Sequence, residues 1–270
     1  MKANVIQSLI AVMAISIIFL SCKKDGWHCK NGKGSIQTEI RNISGFTAIK
    51  NESEAELYIT QGQTYEVRVE AQENLLEEIV AETKGDELQI YSQHCLNNHD
   101  PIKVYVTLPV LSRVIIDGSG FAVNTNKITG NSLSLTVSGS GYYQSMDSII
   151  VTDVDMSISG SGKIDFLGEA LTTTTVVSGS GNITLNGPEL VSDSLQGSTL
   201  NLTISGSGSI LGFNYPVQNC HFTISGSGHG EVNVSTLLDG TLSGSGSLMY
   251  KGNPIVNVTT SGSGSVIHVN

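Results

Sequence analysis

Three groups of residues in this 270-residue chain have types and spacings that could do chemistry. The first is serine. Ser140, Ser161, Ser180, Ser207, Ser227, Ser245 and Ser263 recur in one local context, with His229 just after Ser227. A nucleophilic serine is normally unique and has a base in reach. Equivalent serines read instead as a repeated structural corner, and His229 has no third partner in its local sequence. The second group is acidic. Asp153, Asp155 and Asp165 form the one modest acidic cluster of the C-terminal half. A glycosidase needs two opposed carboxyl groups. Asp153 and Asp155 flank the apolar Val154, so both point outward from one strand as solvated, edge-protecting charges, with a calcium or sugar site as the alternative. Tyr142 and Tyr143 join them as weak ligand candidates, beside outward Ser, Thr and Asn. A uronate lyase needs a strong base, usually Arg or Lys, yet from Gly118 onward the cations are Lys127, Lys163 and Lys251 alone. No catalytic residue is assigned, and no cofactor is predicted.

The third group is sulfur and imidazole. Cys29 and Cys95 stand outside the repeats, and in an exported chain such a pair forms a disulfide. With His28, His94 and His99 nearby, zinc is the alternative, but the spacing matches no zinc motif and no metal is predicted. Cys220 falls on an inward strand position between Leu200 and Leu238, where a thiol serves as a small apolar group.

These residues are positioned by a repeat. Gly-Ser-Gly occurs eight times, its first glycines being Gly118, Gly139, Gly160, Gly179, Gly206, Gly226, Gly244 and Gly262, at steps of 21, 21, 19, 27, 20, 18 and 18 residues. Two residues before each stand Ile116, Val137, Ile158, Val177, Ile204, Ile224, Leu242 and Thr260, and alternate positions further back are mostly apolar. Period-two alternation makes a strand with one buried face, and glycine suits a sharp corner. A period near 20 marks a solenoid whose units bury their cores only by stacking. The fold class is therefore all-β, a parallel β-helix (β-solenoid) with coils of about 20 residues and Gly-Ser-Gly corners. The longest step predicts a bulge between Asn186-Gly187-Pro188 and Gln196-Gly197. A calcium roll would need Gly-Gly-x-Gly-x-Asp, and no recurring Asp follows the corners.

The ends divide the chain further. Lys2, a mostly apolar stretch over residues 5–20 and Phe19-Leu20-Ser21-Cys22 predict a lipoprotein signal peptide over 1–21, with Cys22 as the lipidated residue. Residues 22–34 form a polar tether. Residues 35–117 read as irregular coils that also cap the solenoid, with Asn74 capping a helical turn at 74–79, and 118–270 as the regular helix. The chain closes almost directly after its last corner, which makes the C-terminal coil a contact surface for a second copy or a partner. The net charge of −10 offers no basic stripe for nucleic acid.

Ser44-Gly45-Phe46, Gln61-Gly62, Val67-Arg68-Val69-Glu70-Ala71, Glu73-Asn74-Leu75-Leu76 and Pro101-Ile102-Lys103-Val104-Tyr105-Val106-Thr107, followed by the Gly-Ser-Gly series, resemble the putative auto-transporter adhesin, head GIN domain family over residues 36–270. The resemblance implies a right-handed β-helix, a lipoprotein at the outer membrane or cell surface, and a role in adhesion. The expectation is a non-catalytic envelope protein, tethered to the membrane by its lipid alone, that binds a glycan, matrix or surface protein. A carbohydrate-active enzyme and a purely structural envelope component are the alternatives.

Overall fold

The computed structural model of the chain describes residues 29–97, 99–187 and 198–270. The expected signal segment 1–21, Cys22, His28 and the core of the expected bulge at 188–197 lie outside the described residues.

Alternation makes the strands, and a shared register makes the solenoid. The strands that lead into the corners, such as Arg113–Gly118, Ile128–Gly139, Ile149–Gly160, Thr199–Gly206 and Ile255–Gly262, pair parallel. The first glycine of each corner thereby sits on the first glycine of the next. The result is an all-β solenoid of about 7 turns at ~21-residue spacing. Its inward side chains stack into apolar columns: Ile116, Val137, Ile158, Val177, Ile204, Ile224 and Leu242 are all buried. Removing these columns from water is the main force that holds coil to coil. Cys220 lies in a column between Leu200 and Leu238 as a buried free thiol. Burial, with Asp239 assisting, pushes that thiol up to about 12. Thr173 and Thr175 interrupt the columns, and their hydroxyls meet the Tyr215 hydroxyl at 2.8 Å and the Asn201 carbonyl at 3.2 Å, so neither is a buried unpaired group.

The two glycines of a corner do different work. The first adopts φ between +102° (Gly262) and +127° (Gly206), a region open to glycine and costly for other residues. The last packs under the inward column: a Cβ on Gly162 would lie 2.4 Å from Val137 Cγ1, and one on Gly181 2.4 Å from Ile158 Cγ2. Between them the serine N–H donates to the corner beneath, Ser140 to Gly118 O at 2.9 Å and Ser161 to Gly139 O at 2.8 Å.

The N-terminal region stacks out of chain order. Ala48–Asn51 and Glu56–Gln61 form one coil that the Gly118 corner sits upon. Glu87–Ser92 and Lys103–Leu108 then pass beneath that coil, before the chain returns above it at Arg113. The 48–61 coil lacks Gly-Ser-Gly. The buried Asn51 side chain builds its corner by accepting from Ser53 N and Oγ and donating to Ala55 O. Antiparallel pairs then close this end: Glu66–Gln72 against Lys103–Leu108 and Ile36–Arg41, and Ile79–Lys84 against Glu87–Ser92. These pairs cap the stack as well as extend it. Cys29 and Cys95 are disulfide-bonded, which removes them as zinc ligands. Lys30–Asn31 pairs with Leu96–Asn97 beside the bond. Asn74 is not a helix cap. It lies inside a 3-10 turn, Glu73–Glu78, and its side chain holds the 31–33 segment through Asn31 O at 2.9 Å and Lys33 N at 2.7 Å.

Candidate functional site

The strands that follow the corners form a second wall whose outer surface runs on into the cap. Register places Ile40, Arg68, Tyr105, Tyr58, Val123, Gln144 and Asp165 in one row across neighbouring strands. Thr38, Glu70, Lys103, Glu56, Phe121, Tyr142 and Lys163 form the adjacent row. Seven strands at about 4.8 Å spacing make a face roughly 29 Å long. On the six strands from Glu66–Gln72 onward the intervening residues Val69, Val104, Leu57, Ala122, Tyr143 and Ile164 are in the core, so both rows face outward there; Val123 alone of the two rows is fully covered, and the edge strand Ile36–Arg41 is exposed on both sides.

This face joins aromatic rings to carboxylates. The Tyr58 and Tyr105 rings stack at 4.9 Å and 17°, and the Arg68 guanidinium lies 3.9 Å from the Tyr105 centroid. Tyr58 donates to Glu56 at 2.9 Å and Tyr105 to Glu70 at 3.2 Å, while Arg68 pairs with Glu70 at 2.5 Å. Further along, Phe121 packs on Tyr142 at 5.4 Å. Tyr142 donates to Asp165 at 2.5 Å, and Lys163 reaches the same carboxylate oxygen at 2.7 Å. Partial desolvation, then the bond to Glu56 or Asp165, pushes Tyr58 and Tyr142 up to about 12. Both phenols therefore stay protonated donors at neutral pH. Burial opposes ionisation of Asp165, but Lys163, Tyr142 and Thr184 outweigh it and hold the carboxyl below its ordinary value. Ring planes flanked by carboxylates can stack on the C–H face of a sugar and accept its hydroxyls. A flat wall of already-bonded carboxylates does not oppose a substrate from two sides, as glycoside hydrolysis requires.

The sequence candidates are sorted by this geometry. Tyr142 and Asp165 come together. Asp153 and Asp155 are exposed on Ile149–Gly160, before the corner, whereas Asp165 lies after it on Lys163–Gly179. The three are therefore not one cluster, and among the described residues no group of three or more His, Cys, Asp or Glu could hold a metal. Tyr143 is 1% exposed, a core residue rather than a ligand contact, with its hydroxyl 3.3 Å from Asn124 Oδ1. Its offset from Gly139 is that of the inward Ile164 from Gly160, a signal the sequence already contained. Tyr58, Tyr105 and Arg68 were missed, because nothing local marks residues that meet only through the stacking of the opening coils; Phe121 was missed although its offset from Gly118 is that of Tyr142 from Gly139.

His229 does acquire partners, though not Ser227. Its Nδ1 is 2.9 Å from Ser247 Oγ and its Nε2 3.3 Å from Glu231 Oε1. This line resembles a nucleophile, base and acid, yet the neighbouring N–H groups are engaged. Ser245 and Gly246 donate to Gly226 O, and Ser247 to Gly228 O. None of these is free to stabilise an oxyanion.

The family described as "Putative auto-transporter adhesin, head GIN domain" matches residues 45–196 and 190–254. No curated protein matches. Three similar crystal structures share the fold. A "putative lipid binding protein" from Parabacteroides distasonis is 23% identical with TM-score 0.81, covering 89% of this chain and 99% of its own. A "putative adhesin" from the same organism is 22% identical with TM-score 0.80, covering 88% and 99%. A "putative adhesin" from Parabacteroides merdae is 21% identical with TM-score 0.81, covering 89% and 99%.

Proposed function

Because the chain belongs to the putative auto-transporter adhesin, head GIN domain family, we propose that it is a non-catalytic attachment protein of the cell surface whose outer aromatic face holds a glycan. The observation that carries this reading is the alignment of Tyr58, Tyr105, Phe121 and Tyr142 with Glu56, Glu70 and Asp165 on one continuous surface. Repeated weak contacts along such a face add up when the ligand is itself a polymer. Lipidation at Cys22 and tethering through residues 22–34, at the outer membrane or cell surface, complete the proposal. No helix among the described residues is long and apolar enough to cross a membrane; the proposed anchor is the lipid on Cys22. The disulfide at Cys29 and the tether's bonds to Asn74 support an attachment that leaves from the capped end. A protein of the matrix or of a neighbouring surface is the other partner class.

A lipid ligand is a second reading, favoured by Ile36 and Ile40, which are 55% and 64% exposed where the face reaches its edge. The test is a glycan array followed by titration calorimetry on the best ligand. Replacing Tyr58, Tyr105 or Tyr142 by Ala is expected to weaken binding about tenfold each with little change in thermal midpoint. A ligand held equally well by the triple variant refutes the assignment of this face. Vesicle flotation abolished by Ile36→Ser with Ile40→Ser, with no glycan retained, would favour the lipid reading.

A further inference from the structure

The two ends of the solenoid are finished differently. The first is covered by the antiparallel pairs and the 3-10 turn of the cap. At the other end Ile255–Gly262 pairs with the strand His229–Gly244, and Ser265–His268 with Ser247–Lys251. Each is bonded along one edge only among the described residues. The apolar columns run out into this surface. Ile255 is 68% exposed, Val256 42% and Ile267 40%, although Val256 continues the buried column of Cys220 and Leu238. Val258 and Val266 stay packed against the core.

Bare strand edges are normally protected by charge, proline or a bulge, since they otherwise pair with other chains. From Ile255 to Asn270 there is no Asp, Glu, Lys, Arg or Pro, and neither strand's pairing shows a register shift. The wider surroundings are also nearly neutral. Between Thr199 and Asn270 the charged side chains, histidine aside, are Glu231, Asp239 and Lys251, in a chain of net charge −10. Two molecules that repel each other elsewhere can therefore meet at this end with little electrostatic cost.

We infer that this end is a self-association surface and that its occupant is a second copy of the chain. Of the possible partners, the copy is the one that offers the same outline, the same unpaired edge and the same open apolar columns. A two-fold axis along the normal of the sheet sets Ile255–Gly262 antiparallel to its equivalent and keeps both inner faces on one side. The register that matches inward residues to inward residues places Val258 opposite the Val258 of the other copy, and Val256 opposite its Thr260. The columns then continue from one solenoid into the next, and the pair presents two aromatic faces and two capped ends. This inference stands whether or not the aromatic face binds a glycan.

The experiment is sedimentation of the full-length chain in mild detergent across micromolar concentrations. It is run beside Ile255→Lys with Thr259→Lys, substitutions at exposed positions, and beside Val258→Cys under oxidising conditions. The wild type is expected to sediment as a dimer, the double-lysine variant as a monomer with unchanged thermal unfolding, and Val258→Cys to give a disulfide-linked dimer. A monomeric wild type overturns the inference. So does a dimer indifferent to the two lysines and uncrosslinked at Val258, since that places the contact elsewhere.

Discussion

At Glu78 one buried carboxylate clasps the Lys30–Asn31 strand to the cap. Lys30 lies 2.5 Å from one oxygen and His94 2.7 Å from the other. These bonds, that of Lys30 first, draw the Glu78 pKa below its ordinary value against the opposing effect of burial. A carboxylate with a folded-state pKa below its unfolded value of about 4.3 stabilises the fold at pH above that value. The contribution is lost as pH falls through the folded-state value. Glu78→Gln is therefore expected to cost about 1 kcal/mol at pH 7, a small figure because Lys30 is 37% exposed and water screens the pair. The difference from wild type should close as pH falls below about 4. Urea unfolding at neutral and acid pH measures it, and a difference that persists undiminished in acid would show that the carboxylate charge is not the cause. The partners of Glu78 could not be read from the chain, since neither spacing nor residue type marks Lys30, Glu78 and His94 as neighbours. For Cys29 and Cys95 the chain narrowed the choice to a disulfide or a zinc site, and the bond itself belongs to the structure.

At the scale of the element, the corner explains why the same two glycines return eight times. Gly206 has φ +127°, and a Cβ there would lie 2.5 Å from the Gly179 carbonyl oxygen. Ser207 is exposed and gives only its backbone N–H to the stack, 2.9 Å from Gly179 O. Gly206→Ala is expected to destabilise by about 2–4 kcal/mol and Ser207→Ala by less than about 0.5 kcal/mol. Denaturant unfolding measures the two costs, and ligand binding measured beside it distinguishes a structural corner from a serine kept for chemistry, since the latter predicts the greater functional loss for Ser207→Ala. Strands, inward columns and corners were all legible from period and offset. The irregular steps were less so. Gly240 occupies an inward position at φ +154°, where a Cβ would lie 2.1 Å from the Phe222 carbonyl oxygen and 2.7 Å from its ring. Large and small side chains exchange volume between coils, and a single repeat does not reveal that compensation.

At the scale of the molecule, a solenoid is stable where each coil has two neighbours. Ile255–Gly262, with one, is expected to exchange its amides faster than Ile149–Gly160, which has two. Hydrogen exchange on dilute protein tests this, and equal protection in both strands would mean that the last coil is held by something other than its single pairing. Protection that rises with concentration belongs to self-association. The amino-acid sequence by itself determined that the chain winds into stacked coils, because identical offsets from each glycine force like side chains above like without any knowledge of distant contacts. For the cysteines outside the repeats it left a disulfide and a zinc site open, and the structure holds the disulfide. Only the tertiary structure decided that residues 87–108 pass beneath residues 48–61, and so decided the outer face. Before Gly118 the pairings join strands with no common period, some of them antiparallel, and register there is set by how the cap closes over the core. Tyr58, Tyr105 and Arg68 become neighbours only through that closure, whereas Tyr142 meets Phe121 and Lys163 through the regular register of the coils; proximity across a sheet is a property of pairing and not of position along the chain.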